Sequence, residues 1–189
     1  MRVRPALPVF LSILMLGALS LPKRGWAAWP HDPNNGNVAL STAAGDQQVP
    51  TIASDGAGGA IVTWQDYRSG TTSDIYAQRV NAAGVPQWTA NGVALCTAAG
   101  VQQSPTIVSD GAGGAIVTWQ DLRGGTTYDI YAQRVNAAGV PQWTADGVAL
   151  CTAASDQLYP TIVSDGAGGA WPTPSVSFAP TGSRSTTPT

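Results

Sequence analysis

Residues 54–68 read SDGAGGAIVTWQDYR, and residues 109–123 read SDGAGGAIVTWQDLR. Each is followed after a short loop by DIYAQRVNAAG, at 74–84 and again at 129–139. An Asp-Gly turn supplies the positive φ angles that a tight β-hairpin demands. The AIVTW run after it is β-branched and ends on an aromatic, as a strand prefers. Working outward, Val38–Gly92 aligns without gaps on Val93–Gly147, and only eight of the 55 positions differ. A third copy begins at Val148 and runs to Ala170, where Trp171-Pro172-Thr173-Pro174 replaces the expected Ile-Val-Thr-Trp. Upstream, Trp29 and the string NGNVAL echo Trp88 and NGVAL. Self-similarity at a fixed period is the mark of a repeat architecture.

Four strands are predicted in each unit: 50–54, 60–64, 74–80 and 93–96, then 105–109, 115–119, 129–135 and 148–151. Gly 22 and Pro 14 punctuate the chain with turns. Glu is absent and Lys23 is the only lysine, which removes two of the commonest helix formers. The fold class expected is therefore all-β: tandem four-stranded antiparallel units of 55-residue period, with a β-solenoid as the alternative. The domain reading is 1–27 signal peptide, 28–37 linker, 38–92 and 93–147 full repeats, 148–170 a partial repeat, and 171–189 a divergent tail rich in Pro, Ser and Thr.

The SDGAGGAIVTWQDxR string, the DIYAQRVNAAG string and the W-x-x-x-G-V that follows resemble the blade repeats of large secreted bacterial β-propeller proteins. The resemblance spans residues 38–170 and implies blades, here an incomplete propeller because about two and a half units fall short of the four to eight that close one. It would put loop 65–73 and the 42–48 loop on one face of the disc, with the 55–59 and 81–84 turns on the other. Four of the eight differences between copies fall in that first pair of loops, and two more lie directly beside them. The candidate ligand contacts are accordingly Asp66, Tyr67 and Arg68, with their counterparts Asp121, Leu122 and Arg123.

Export is expected from the N-terminus. Arg2 and Arg4 precede the apolar stretch Val9–Leu21, and Gly25-Trp26-Ala27 offers small residues for cleavage after Ala27. Thirteen apolar residues are too few to span a bilayer of about 30 Å, so no membrane insertion is expected after cleavage. The remaining chain carries five arginines against eleven aspartates, a net −6. That balance repels phosphate backbones and excludes nucleic-acid binding. The localisation expected is secreted or cell-surface.

No catalytic constellation stands out. His31 is the single histidine and lies outside the repeats. Gly56-Ala57-Gly58-Gly59 lacks the third glycine and following helix of a dinucleotide loop, so it reads as a hairpin. Asp55, Asp66 and Asp74 recur at +55 and leave calcium open, though their spacing matches neither the twelve-residue EF-hand loop nor the nine-residue calcium β-roll repeat. The competing local reading has Asp55 shaping a turn, Asp74 starting a strand and Asp66 pairing with Arg68. No cofactor is predicted. Cys96 and Cys151 are one period apart and are expected to remain reduced in a propeller, whereas a solenoid would bring them within bridging distance. Trp64 and Trp119 read as packing between units, while Trp88 and Trp143 leave a sugar-stacking platform open.

The function expected is a non-enzymatic scaffold or binding module that meets a protein or glycan through one loop face. Two alternatives stand beside it: a polysaccharide hydrolase or lyase using Asp66 and Asp121, and a truncated or frame-shifted piece of a longer protein. Self-association is the further expectation, since repeat units cannot bury their apolar faces alone.

Overall fold

The computed structural model describes residues 37–175; the signal-peptide reading, His31 and most of the divergent tail lie outside them. The described residues contain ten strands and no helix. Strands β1 (Gln47–Ser54), β2 (Ala60–Asp66), β3 (Asp74–Val80) and β4 (Val93–Cys96) form one antiparallel sheet in sequential order. Strands β5 (Gln102–Ser109), β6 (Ala115–Asp121), β7 (Asp129–Val135) and β8 (Val148–Cys151) form a second sheet of the same order. Strands β9 (Leu158–Ser164) and β10 (Ala170–Ser175) form a third, two-stranded one.

The first strand starts three residues earlier than the sequence suggested, and the second runs two residues longer. A register shift between Gln48 and Thr51 is the cause. The chain bulges at Val49 (φ +49°) and Pro50, and pairing resumes at Gln48↔Gln65 and Gln47↔Asp66. A proline is tolerated there because a bulged residue owes the ladder no N–H. The hairpin that follows is built by Asp55, whose Oδ1 accepts the N–H groups of Ala57 and Gly59, each at 2.8 Å. Gly59 is obligatory for another reason: a Cβ there would come within 2.2 Å of the Val80 carbonyl oxygen. The third copy's loss of sequence identity after Ala170 does not end its hairpin. β10 still pairs with β9 from Ala170↔Ser164 onward.

Strand alternation gives each sheet two faces. Ile61 and Gln65 of β2, with Ile75 and Ala77 of β3, turn toward the second sheet, and Gln65 Oε1 accepts the Ser104 N–H at 3.0 Å. They meet Ala115, Val117 and Trp119, which lie on the opposite face of β6. All seven residues of β2 and all seven of β6 are buried. Burying one aliphatic side chain stabilises by about 1.5–3 kcal/mol, and here that burial is shared between sheets. Each sheet therefore depends on its neighbour.

Backbone bonds stitch the sheets at the same place in each unit. The Gln102 N–H donates to Ser73 O at 2.9 Å, and the Gln157 N–H donates to Tyr128 O at 2.7 Å. The solenoid alternative is corrected by this arrangement. It requires β1 and β5 to be hydrogen-bonded neighbours, yet they belong to separate sheets that pack face to face.

Candidate functional site

The loop that joins β2 to β3 leaves the sheet at Asp66, whose register partner across the strands is Asp74. Two facing carboxylates are destabilising unless something neutralises one of them. Arg68 does so. Its Nε donates to Asp66 Oδ1 at 2.8 Å and its Nη2 to Asp66 Oδ2 at 2.6 Å, the fork geometry that suits a carboxylate. The same guanidinium lies 3.7 Å above the Tyr76 ring and donates to Asn91 O at 2.7 Å. Trp64 Nε1 and the Arg68 N–H complete the set on Asp66 at 2.7 and 2.9 Å. One side chain thus ties the end of β2, the face of β3 and the turn before β4.

The second unit repeats the clamp. Arg123 binds both oxygens of Asp121 at 2.9 and 2.7 Å, covers Tyr131 at 3.7 Å and donates to Asp146 O at 2.8 Å. Cys96 adds a contact that its counterpart Ser41 does not reproduce: it receives Arg123 Nη2 at 3.3 Å and sits 3.8 Å from Asp121 Oδ2. Both aspartate side chains have no solvent exposure, while each arginine keeps 23%.

The electrostatics follow from this packing. Burial acts to raise the Asp66 pKa, but hydrogen bonds from Arg68 and Trp64 outweigh it and hold the carboxyl below its ordinary 3.8. Asp55 behaves alike: burial is opposed by the Ala57 N–H, then by Arg79, and the pKa falls. Asp74 and Asp129 shift the other way, because burial is not answered by an equal set of donors. Burial also pushes the Cys96 thiol up to about 12, which keeps it protonated and inert.

Of the six predicted contact residues, the structure places Asp66, Arg68, Asp121 and Arg123 inside the clamps. Tyr67 and Leu122 are half-buried, and their N–H groups donate to Asp46 O and Val101 O at 2.9 and 2.8 Å. The two loops expected to share one face are therefore joined. The exposed part of each loop is its tip, Ser69–Gly70–Thr71 and Gly124–Gly125–Thr126. At the opposite turns, Asp55 holds Arg79 and Asp110 holds Arg134, at 2.9 and 3.0 Å. Asp55 thus spends Oδ1 on its own turn and Oδ2 on Arg79. Among the described residues, no three His, Cys, Asp or Glu side chains are grouped to hold a metal ion.

A feature that sequence reasoning missed lies beside the turn before β4. A cleft of about 360 Å³ is lined by Thr42, Gln78, Pro86, Trp88 and Asn91. A second, of about 400 Å³, is lined by their +55 counterparts Thr97, Gln133, Pro141, Trp143 and Asp146. In the first, the Thr42 N–H donates to Asn91 Oδ1 at 2.8 Å; in the second, the Thr97 N–H donates to Asp146 Oδ1 at 2.8 Å. The walls lie 49 residues apart in the chain, so only the Asn91/Asp146 difference between copies could have drawn attention there.

The chain matches no known family model, no curated protein and no solved structure.

Proposed function

We propose that this chain is an exported, non-enzymatic binding module built from propeller-type blades, which meets a protein or glycan through the loops that follow β2 and β6. The observation that carries the reading is the pair of clamps, which share one Asp–Arg–Tyr arrangement. Each fixes the base of a loop with a buried Asp–Arg–Tyr stack and leaves a small polar tip in solvent. Loops held on a rigid scaffold, with sequence variation near their tips, are how binding surfaces are commonly made. Face-to-face packing of four-stranded antiparallel sheets supports the blade reading, as does the repeat's likeness to blade sequences.

The competing hydrolase or lyase reading needs a carboxyl that can hand over a proton or attack. Asp66 accepts four hydrogen bonds within the clamp and is held ionised by them. A general acid works best with its pKa near the working pH, and this one is displaced the wrong way.

The purified chain, screened on a glycan array and against surface-protein extracts, is expected to retain a ligand without cleaving any polysaccharide. Tyr67→Ala combined with Leu122→Ala is expected to abolish retention while circular dichroism stays unchanged. Cleavage of a polysaccharide that disappears in Asp66→Asn would overturn the reading. Export is checked separately by N-terminal sequencing of the protein recovered outside the cell, with Ala28 expected first.

A further inference from the structure

Where the two four-stranded sheets meet, packing is concentrated on β1, β2 and β5 and thins toward β4 and β7. The thin end leaves the cleft of about 400 Å³ between β4 with Thr97 on one side and Gln133, Pro141, Trp143 and Asp146 on the other. Its counterpart of about 360 Å³ lies between Thr42 and the set Gln78, Pro86, Trp88 and Asn91. Place in the stack does not create these clefts. Trp88 lines the first one although the following unit already holds its indole, through Ala137 O at 3.0 Å and the close approach to Gly139. Pro86 and Pro141 are both exposed, and Val85 and Val140 before them are each 52% exposed.

The walls are fixed from within each unit. Gln78 Nε2 donates to Thr89 O at 2.9 Å, and its Oε1 accepts the Arg79 and Trp88 N–H groups at 3.0 and 2.9 Å. Gln133 makes the same three bonds, with Thr144 O, Arg134 and Trp143. One polar position differs between the clefts. The Thr42 N–H donates to Asn91 Oδ1 and the Thr97 N–H to Asp146 Oδ1, both at 2.8 Å, so the two side chains take the same pose. The second atom of each is unspent among the described residues. On Asn91 it is the amide Nδ2, which only donates; on Asp146 it is the carboxylate Oδ2, which only accepts.

A hydroxyl suits both, because it donates and accepts. A cation finds no partner in the Asn91 amide, and an anion is repelled by Asp146. Pockets for small ligands start at about 300 Å³ and combine apolar walls with a few placed polar groups, as the Trp–Pro wall and the Asn or Asp do here. We infer that the two clefts are equivalent sites for one neutral sugar unit each. The apolar face of the sugar ring lies on the Trp–Pro wall, and a hydroxyl meets Asn91 Nδ2 in one cleft and Asp146 Oδ2 in the other. The inference goes beyond the loops that follow β2 and β6 and does not depend on them. A single sugar unit binds in the millimolar range, too weakly to retain the chain on an array.

Proton–nitrogen correlation spectra of the purified full chain, titrated with maltose, cellobiose and lactose, test it. At least one of these is expected to shift the Thr42 N–H and the Asn91 side-chain amide together with the Thr97 N–H, saturably. Digalacturonic acid is expected to shift the first cleft's signals alone, since Asp146 repels it. Asn91→Asp and Asp146→Asn each install the residue that the other cleft already carries, so both variants keep the bond from threonine. Asn91→Asp is expected to keep the neutral sugar and lose the uronate, and Asp146→Asn to gain the uronate in the second cleft. Four results would overturn the inference. One is a set of sugars that shifts neither cleft. Another is a uronate that shifts both clefts equally in the parent chain. A third is shifts confined to residues 67–71 and 122–126, which would support the loops as the binding surface and remove the clefts. The last is a response to a proline-rich peptide and to no sugar.

Discussion

Trp88 and Trp143 occupy the same position in two repeats, yet the first is 9% exposed and the second 37%. Leu95 and Leu150 differ more, at 2% and 40%. Cys96 is buried and Cys151 only half so, and both are free. None of these exposures arises from a substitution at the tryptophan, leucine or cysteine of the second copy, because the residues are identical. The cause lies one unit further on. The Trp88 indole donates to Ala137 O at 3.0 Å and lies so close over Gly139 that a Cβ there would sit 2.7 Å from the ring. In a stacked repeat, burial is conferred by the neighbour.

That contrast can be broken most forcefully at the tryptophans. Trp88→Ala is expected to cost about 3 kcal/mol, the lower end for a large buried aromatic, while Trp143→Ala should cost less than about 1 kcal/mol. Urea unfolding of both variants reads the difference directly, and equal losses would show that the two repeats are equally covered. The leucines give a smaller effect in the same direction. Leu95→Ala should cost about 2–3 kcal/mol and Leu150→Ala about 0.5 kcal/mol.

The clamps should behave oppositely, since they are built within each unit. Asp66→Asn and Asp121→Asn are each expected to cost about 1–2 kcal/mol, discounted from a fully buried pair because the arginines retain solvent contact. A pH series separates the electrostatic part. The folded pKa values of Asp55, Asp66 and Asp110 lie below 3.8. Their stabilisation is therefore complete above the unfolded value and is lost as pH falls through the folded one. Asp74 and Asp129, raised by burial, act with the reverse sign and soften the loss near pH 4. Thermal melts at decreasing pH should show a shallower acid loss in Asp66→Asn than in the parent chain. An identical slope would remove Asp66 from the account.

The smallest test changes no stability at all. A thiol reagent added to the native chain should modify Cys151 quickly and Cys96 only on unfolding, because burial holds the Cys96 thiol protonated. Two thiols reacting at one rate would contradict the difference in cover between β4 and β8.

Much of the fold was legible because its signals are local. Asp55 and Gly59 announce a hairpin within five residues, and AIVTW announces a strand by its own side chains. The bulge at Val49 and Pro50 was not legible, because a proline at a strand's start and a proline in a bulge look alike until the partner strand supplies the register. The site was legible in part. The pairing of Asp66 with Arg68 could be read from a two-residue spacing. The Tyr76 ring and the Asn91 carbonyl that complete the clamp could not, since they reach it from separate strands and turns.

The amino-acid sequence by itself determined the repeat, its 55-residue period, the strands and the turns, because each follows from backbone preference over a few residues. Tertiary structure alone decided which copy of an identical residue is buried. It also decided that the expected contact residues Asp66 and Arg68 spend their hydrogen bonds holding the loop. Those outcomes depend on which sheet lies above which, and two nearly identical sequences carry no local record of their place in the stack.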